Sequence, residues 1–463
     1  MELRNKRVMI VGLALSGLGA ARLCSDQGAL VTVTDMKKAE ELSDKLEKLP
    51  QGVTLILGRK PTLEEAAAQD YLILSPAVPT DADYVQSARK AGARIWSEIE
   101  LSSYFAKATV IGITGTNGKT TTTSLVEEIA KLYKPQSRAA GNIGFSFTEA
   151  ALNTPADAYI ALELSSFQLE SIENFHPHLS AILNFTPDHL NRHHTYEAYK
   201  AAKCRIYENQ TAGDFCILNY DDEAVRAKGL ELSEKDNGPT VVWFSHTHES
   251  KGGVWSRDGS IVADLDGKVV EVTRIDDMKI FGPHNEENAM AAAALCLKAG
   301  IPLEYVTRGL HEFKGVAHRI EPVGQINGIS FYNDSKATNP DAAIKGLLAM
   351  KSKQTVLIGG GYDKGTPYDD WCRLFNDRVR RLILVGVTAG DIEACALKYG
   401  FPKENIYKAK TFEEAVKVAA QSAQPGDSVL LSPACASWDM FKSYEQRGDI
   451  FRGLVADYIK DNQ

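Results

Sequence analysis

The sequence contains no run of about 18 apolar residues of the kind that crosses a membrane, and its N-terminus carries no signal-peptide pattern. Cysteine is sparse, with seven residues in 463 and no paired spacing, which excludes a disulfide framework and argues against a zinc site. Positive charge is not in excess either. Lysine and arginine number 52 against 60 acidic residues, a net charge of -8, so general affinity for nucleic acid is excluded. These absences leave a soluble protein of a reducing compartment, expected in the cytoplasm with no nucleic-acid partner and no membrane insertion. What is present is ordinary for a globular enzyme, 44% hydrophobic and 24% charged, on a chain long enough for about two to four domains.

The most informative stretch is Val110 to Thr122, VIGITGTNGKTTT with its last threonine at 122. An apolar run, 109–113, reads as a buried strand. It breaks into a turn containing Gly115 and Gly118, then enters a helical run from Lys119 to about Tyr133. The free N–H groups of a first helical turn and the helix dipole both favour phosphate there. Lys119 adds a mobile charge, and the Thr120 hydroxyl is spaced to touch a magnesium ion on the phosphates. The strict phosphate-loop pattern wants glycine where Ile113 stands; here the pattern is Gly112-x-x-Gly115-x-x-Gly118-Lys119-Thr120.

Upstream, Arg7 to Gly12 reads as a strand, followed by Leu13-Ala-Leu-Ser-Gly17, a helix to about Gln27, and a second strand from Leu30 that ends at Asp35. This βαβ opening resembles a dinucleotide fold, but Ala14 occupies the central glycine position that lets a pyrophosphate approach closely. A nucleotide diphosphate on the same helix, with Asp35 near its base or sugar, fits as well, and so does a purely structural unit. Asp70 to Pro76 reads as a further strand. The segment ends near Trp96, where 97–100 begin a short helix.

After the phosphate loop, Ala140 to Gly144 reads as a turn. A strand over 158–163 delivers Glu163 at its C-terminal end, where open α/β sheets bind ligands, so Glu163 is a candidate for magnesium or for activating water. A strand over 179–184 ends in Phe185-Thr-Pro-Asp-His-Leu190, with Asp188 and His189 on the same rim. His193 and His194 read as surface residues, since magnesium prefers oxygen ligands. Lys203 lies on an amphipathic helix, 201–208, where a solvated lysine is the ordinary reading. Strands recur at 214–219 and 241–244, and 252–273 reads as a hairpin excursion with turns at Asp258-Gly259 and Asp266-Gly267. Phe281 to Asn288 caps an alanine-rich helix to about Lys298; its amides suit an adenine or ribose, or simply cap the helix.

Strand–helix alternation restarts after Gly315, at 329–333, 355–358, 381–385 and 428–431, giving a second doubly wound sheet. Polar loops cluster at the ends of these elements: His318-Arg319, Asn333 to Asn339, Gly359 to Lys364 and Leu431 to Ser437. Such loops suit an anionic substrate and a nucleotide. Cys435 has no obvious base beside it and reads as packing.

Taken together, these motifs resemble the ATP-dependent Mur ligases of peptidoglycan synthesis over essentially the whole chain. The superfamily is marked by Gly112 to Thr120, Glu163-Leu-Ser-Ser-Phe-Gln168, Asn184 to His189, His284-Asn-x-x-Asn288 and His318-Arg319. Asn333 to Asn339, Leu431 to Ser437 and Glu445-Gln-Arg-Gly448 resemble the branch that adds D-glutamate, where sister ligases carry an Asp-Tyr-Ala-His type of loop at Asp334. The resemblance implies an α/β protein of three domains: a Rossmann-like UDP-binding domain over 1–97, a central P-loop ATPase-type domain over 98–315, and a Rossmann-like amino-acid domain over 316–463. It implies ATP and magnesium as cofactors, UDP-N-acetylmuramoyl-L-alanine and D-glutamate as substrates, an acyl-phosphate intermediate, and a monomer.

Residue by residue, it implies that Leu15, Ser16, Gly17, Asp35 and Ser75 hold the uridine diphosphate, with Asn142 and His189 at the reacting carboxylate. Gly115, Thr116, Asn117, Gly118, Lys119, Thr120 and Thr121 hold the triphosphate, and Asn288, Arg319 and Asp334 contact the nucleotide. Thr120, Glu163, His189 and Lys203 serve the metal, with Lys203 carbamylated in its Ala202-Lys-Cys-Arg-Ile206 motif. Thr338, Lys364, Ser437, Trp438 and Tyr444 form the D-glutamate pocket, and Lys119, His189, Lys203 and Asn142 carry the catalysis. Two positions depart from the family: Ala77 replaces a frequent glycine, and Tyr444 stands where phenylalanine is expected.

Three rival readings remain at this stage. A folylpolyglutamate synthetase shares the Thr-Asn-Gly-Lys loop but not the N-terminal segment or the loop at Asp334. An NAD-dependent oxidoreductase is opposed by Ala14 and by the complete phosphate site downstream. An ATP-gated binding protein has no use for so many polar groups after Gly315.

Overall fold

The computed structural model describes residues 1–350, 354–363 and 365–462. The described residues build three sheets, and each is assembled from short apolar runs whose C-terminal ends open into glycine-rich or polar loops. The first sheet consists of β1 (Arg7–Val11), β2 (Leu30–Asp35), β3 (Thr54–Leu57), β4 (Tyr71–Leu74) and β5 (Arg94–Ser97). It is all parallel, in the order β3-β2-β1-β4-β5. Strand order reverses between β1 and β4, the place where a doubly wound sheet opens a crevice.

The second sheet contains β6 (Thr109–Thr114), β7 (Arg138–Gly141), β8 (Tyr159–Glu163), β9 (Leu179–Ile182), β10 (Phe215–Asn219), β11 (Thr240–Ser245), β12 (Val254–Arg257), β13 (Ser260–Leu265) and β14 (Lys268–Arg274). Its order is β14-β13-β12-β11-β10-β9-β6-β8-β7, so β6 lies between β8 and β9 at a second reversal. The strands around it are buried on both faces, with Ile111, Ile113, Ile160, Leu162 and Ala181 at most 1% exposed. That double burial is why they read as continuous apolar runs. The expected hairpin excursion is an antiparallel β12–β13–β14 meander continuing this sheet. Its turns fall at Asp258-Gly259 and Asp266-Gly267, all four residues at positive φ.

The third sheet comprises β15 (Glu321–Ile326), β16 (Ile329–Asn333), β17 (Thr355–Gly359), β18 (Val379–Leu384), β19 (Ile406–Lys408) and β20 (Ser428–Leu431), in the order β15-β16-β20-β17-β18-β19. Only β15 is antiparallel.

By compactness the chain forms two units: Met1–Lys279 with Glu287–Phe313, and Ile280–Glu286 with Lys314–Gln463. The first unit holds the first two sheets and the second unit holds the third. No helix among the described residues is long and apolar enough to cross a membrane.

Several sequence expectations are corrected. The segment 140–144, expected as a turn, begins inside β7, a four-residue strand with no β-branched residue to announce it. The helix expected over 201–208 runs Tyr196–Cys204 and tightens into a 3-10 turn at Arg205–Tyr207. His193, read as a surface residue, is 7% exposed, and Lys203, solvated on the ordinary reading but held at the metal in what the resemblance implies, is 2% exposed. Each sits on the inward face of a short helix, and for His193 local polarity gave no hint of its burial. His194 is exposed, as expected.

Candidate active site

The phosphate loop leaves β6 at Thr114 and enters the helix Lys119–Tyr133 through Gly118, its N-cap, at φ 86. A Cβ at Gly118 would lie 2.3 Å from Asn288 Oδ1, so backbone conformation and space both demand glycine. The loop is pinned from the neighbouring strand end. Asn117 N donates to Asn184 Oδ1 at 2.9 Å and Asn184 Nδ2 returns a bond to the Asn117 carbonyl at 3.1 Å. Thr116 Oγ1 donates to the Thr186 carbonyl and lies 2.9 Å from the Tyr199 hydroxyl. Asn288 Oδ1 accepts from Thr122 Oγ1 at 3.2 Å, which ties the helix Pro283–Lys298 to the first turns of the phosphate-loop helix.

Two lysines converge on this loop. Lys119 Nζ donates to the carbonyls of Gly115 and Thr116 at 2.9 and 2.8 Å. Lys203 Nζ reaches the same Gly115 carbonyl at 2.7 Å and Thr114 Oγ1 at 3.5 Å, and lies 4.8 Å from the centre of the Tyr199 ring. Burial, and then the charge of Lys119, push the Lys203 amine well below the usual lysine range, against the weaker opposing pull of Asp188 and Glu163. Both effects favour the neutral form of the amine, the form that can act as a nucleophile.

Glu163, 1% exposed at the end of β8, accepts one hydrogen bond, from Asn142 Nδ2 to Oε1 at 3.0 Å. Its Oε2 is buried without a hydrogen-bonding partner among the described residues. An unmatched buried carboxylate oxygen is costly, and the natural complement is a cation. Asn142 follows Gly141, whose φ of 96 and whose Cβ position, 2.3 Å from the Glu163 carbonyl, hold the turn against β8.

His189 caps a four-residue helix, Leu190–His193, and is half-exposed, its Nε2 3.6 Å from Asp188 Oδ2 and its ring 4.9 Å from Phe167. Its φ is 53, and His194, which closes the helix, has φ 64. Each such non-glycine conformation costs about 1–3 kcal/mol and persists only where surroundings enforce it. His193 is part of that enforcement. Its Nε2 lies 2.9 Å from Ser166 Oγ, its Nδ1 is 3.4 Å from Glu170, and burial lowers its pKa.

In the same unit, the reversal point of the first sheet holds a cleft of about 360 Å³ lined by Gly12, Asp35, Ser75, Ala77, Val78 and others. Asp35 accepts from Leu13 N at 2.7 Å and Lys37 N at 2.9 Å, so it fixes the turn after β1. The helix Leu15–Asp26 that follows has Ala14 as N-cap and no side-chain cap, leaving its first N–H groups open to an anion. Leu15 is 58% exposed and Gly17 is buried in that first turn.

The second unit gathers the remaining candidates. Asp334, 4% exposed, accepts from Ser432 Oγ at 2.7 Å and Ile320 N at 3.3 Å; burial raises its carboxyl to about 7. Arg319 is one of the charges opposing that shift. His318, buried at φ 63, lies 3.0 Å from Asn333 Nδ2, and Tyr444 opens the helix Tyr444–Asp461 with its ring edge-on to His318 at 6.2 Å. Ser437 is buried, whereas Trp438 is 64% exposed and tilts against Tyr362 at 5.5 Å. Thr338 N donates to the Lys336 carbonyl within the same loop. Lys364 lies outside the described residues.

The sequence reading missed Arg447 as more than a motif letter. Its guanidinium, 1% exposed, donates to Ser335 Oγ and to the carbonyls of Ser335, Cys435 and Ala436 at 2.8–3.3 Å. It thereby locks the 333–339 loop to the 431–437 loop. An arginine in a helix that begins beside two such loops was the available signal.

A glycine-turn phosphate loop, a buried lysine and a carboxylate with an open oxygen, on a chain with two further doubly wound sheets, define a nucleotide-dependent enzyme of the P-loop class. Family models match along most of the chain: the Mur ligase MurD-like N-terminal domain over residues 6–97, the Mur ligase middle domain over 113–296, and the Mur ligase glutamate ligase domain over 318–435. The chain therefore belongs to the Mur ligase family. Among curated relatives, the UDP-N-acetylmuramoylalanine–D-glutamate ligase of Lachnospira eligens is 45% identical over 98% of this chain and 99% of its own. The enzyme of that name from Thermoanaerobacter sp. is 43% identical over 99% of both. Solved structures share the three-domain fold. The UDP-N-acetylmuramate-alanine ligase of Thermotoga maritima aligns over 99% of this chain and 100% of its own with TM-score 0.59 and 20% identity. The MurF ligase of the same organism, solved with ADP, aligns over 100% and 99% with TM-score 0.60 and 16% identity.

Proposed function

We propose that this enzyme joins D-glutamate to UDP-N-acetylmuramoyl-L-alanine at the expense of ATP, in the cytoplasm and as a monomer, with domains spanning 1–97, 98–315 and 316–463. The observation that carries this reading is the near-complete match, at 43–45% identity, to relatives that bear this activity in their names. The rival readings, folylpolyglutamate synthesis, hydride transfer and ATP-gated binding, have no comparable support.

In this reading the cleft at Asp35 and Ser75 takes the uridine diphosphate, and the alanine carboxylate lies beside Asn142 and His189. That carboxylate attacks the γ-phosphorus, forming an acyl phosphate and releasing ADP. The amine of D-glutamate then attacks the acyl carbon, and the tetrahedral species collapses to the amide and phosphate. Two anions must meet in the first step, so Lys119 and the N–H groups of 115–121 offset their repulsion. The open oxygen of Glu163, with Thr120, His189 and a modified Lys203, suits magnesium, which when bound supplies further charge neutralisation on the phosphates. The neutral Lys203 amine adds carbon dioxide and loses a proton, converting an amine into a carbamate anion. Asn288, Arg319 and Asp334 serve the nucleotide, and Thr338, Lys364, Ser437, Trp438 and Tyr444 receive D-glutamate.

Phosphate release from ATP with UDP-N-acetylmuramoyl-L-alanine, measured with and without D-glutamate, tests this assignment. Sustained release is expected only with both substrates. Turnover that ignores D-glutamate, or accepts L-lysine equally, contradicts it.

A further inference from the structure

The residues that carry the phosphate rim and those that line the nucleotide cleft belong to different sheets of the first unit. One side-chain chain joins them. Arg192, whose side chain is 15% exposed, donates from Nη2 to the Val78 carbonyl at 2.9 Å and to Glu170 Oε2 at 2.7 Å. Val78 lines the cleft beside Asp35 and Ser75. Glu170 also accepts from Thr80 Oγ1 at 3.5 Å, so the cleft-wall segment 78–80 is held at two points by one ion pair.

On its other side the same pair holds the rim. The Arg192 guanidinium lies 5.0 Å from the centre of the Phe167 ring. Phe167 stacks on His193 at 5.5 Å and meets His189 at 4.9 Å. His193 in turn meets Glu170 and the Tyr199 ring, whose hydroxyl touches Thr116 of the phosphate loop. Arg192 and His193 lie on the four-residue helix that His189 caps, and the residues at its two ends, His189 and His194, are both at positive φ. A helix that short has no intrinsic stability, and both of its ends are strained. Its position must therefore come from its side-chain ties, and the Arg192–Glu170 pair is the tie that reaches the cleft wall.

We propose that Arg192 and Glu170 are positioning residues that couple occupation of the nucleotide cleft to the placement of His189 at the phosphate rim. The proposal rests on the ligase reading for its kinetic test and on the cleft alone for its spectroscopic one. Arg192→Lys keeps the charge but loses the planar fork that bridges Val78 and Glu170. It should lower kcat on the order of a hundredfold, as a slight misplacement of a reacting group does, with the KM for ATP changed less than about twofold. Glu170→Gln should act in the same direction and covers the case of an unstable Arg192 variant.

Because the effect passes through His189, Arg192→Lys should cost less than about twofold in a His189→Ala background. An equal loss in both backgrounds marks a general structural role and overturns the proposal. Independently of turnover, UDP, which carries no carboxylate for His189 to meet, should shift the His189 ring signals in NMR spectra of the wild-type chain. The shift should vanish in Arg192→Lys and in Glu170→Gln. No shift in the wild type, or an undiminished one in both variants, refutes the coupling. A wild-type chain with no ligase turnover but a UDP-dependent shift would sink the assigned reaction and leave the coupling standing.

Discussion

Lys203 in the first unit and Arg447 in the second are both almost fully buried, and both donate to loop carbonyls without an ion pair among the described residues. Their chemistry separates them. An ammonium concentrates its charge, so desolvation favours release of its proton and shifts Lys203 toward the neutral amine. A guanidinium spreads its charge over five donors. Burial lowers Arg447 only to about 10, and it stays charged. In the proposed reaction the first is the reactive group at the phosphate loop, whereas the second clamps the 333–339 loop to the 431–437 loop. Similar burial serves reactivity in one unit and architecture in the other.

The sharpest way to break the comparison is at Lys203. Lys203→Ala should reduce turnover on the order of a thousandfold, the upper end of a lost electrostatic contact. Short carboxylic acids should restore part of it by filling the vacated anion site. Lys203→Arg should not respond, because a fixed positive charge remains in that space. Equal activity of the Ala variant with and without added acid would return Lys203 to a structural role.

Lys119→Ala should cost on the order of a hundredfold in turnover, since its charge-assisted contacts strengthen as the phosphoryl group transfers. The thermal midpoint should hardly move. A near-normal rate would displace the ATP site from this loop.

Arg447→Met should act on stability first. It strips donors from the buried carbonyls of Ser335 and Cys435, each worth roughly 1–3 kcal/mol when left unsatisfied, while the Ala436 carbonyl keeps its bond from Tyr362 N. Calorimetry should show a lowered melting transition and kinetics a raised requirement for D-glutamate, with that for ATP changed less. An unaltered melting transition would show that Arg447 is no clamp.

The smallest effect concerns Asp334. Its carboxyl titrates near 7 when folded against 3.8 in the unperturbed chain, so between those values the folded state holds a proton that the unfolded state has lost. Its contribution must therefore fall as pH rises from about 4 to 7 and be level above that. Asp334→Asn should flatten the stability profile of denaturant melts across that window. An unchanged slope would contradict the raised carboxyl.

The phosphate loop, Glu163 and the central strands were legible because apolar runs buried on both faces end abruptly in glycine or polar residues. The edges were not. β15 and β19 carry little apolar signal, and β7 is built from arginine, alanines and glycine. Burial of single polar side chains was the larger gap, because periodicity identifies a face but not which polar residue that face tolerates. For Lys203 a signal existed. Tyr199 and Lys203 stand four apart with Ala202 between them, and all three face inward on one helix. For Arg192 and Glu170 there was none, since their link to Val78 joins residues more than ninety positions apart.

The central claim, that a carboxylate is activated by direct phosphorylation, is tested most directly with substrate whose alanine carboxylate carries two ¹⁸O atoms. The bridging oxygen of an acyl phosphate leaves with the phosphate when the D-glutamate amine attacks carbon. Mass spectrometry should therefore find one ¹⁸O in the released phosphate and one in the new amide. Unlabelled phosphate alongside amide product would contradict the account.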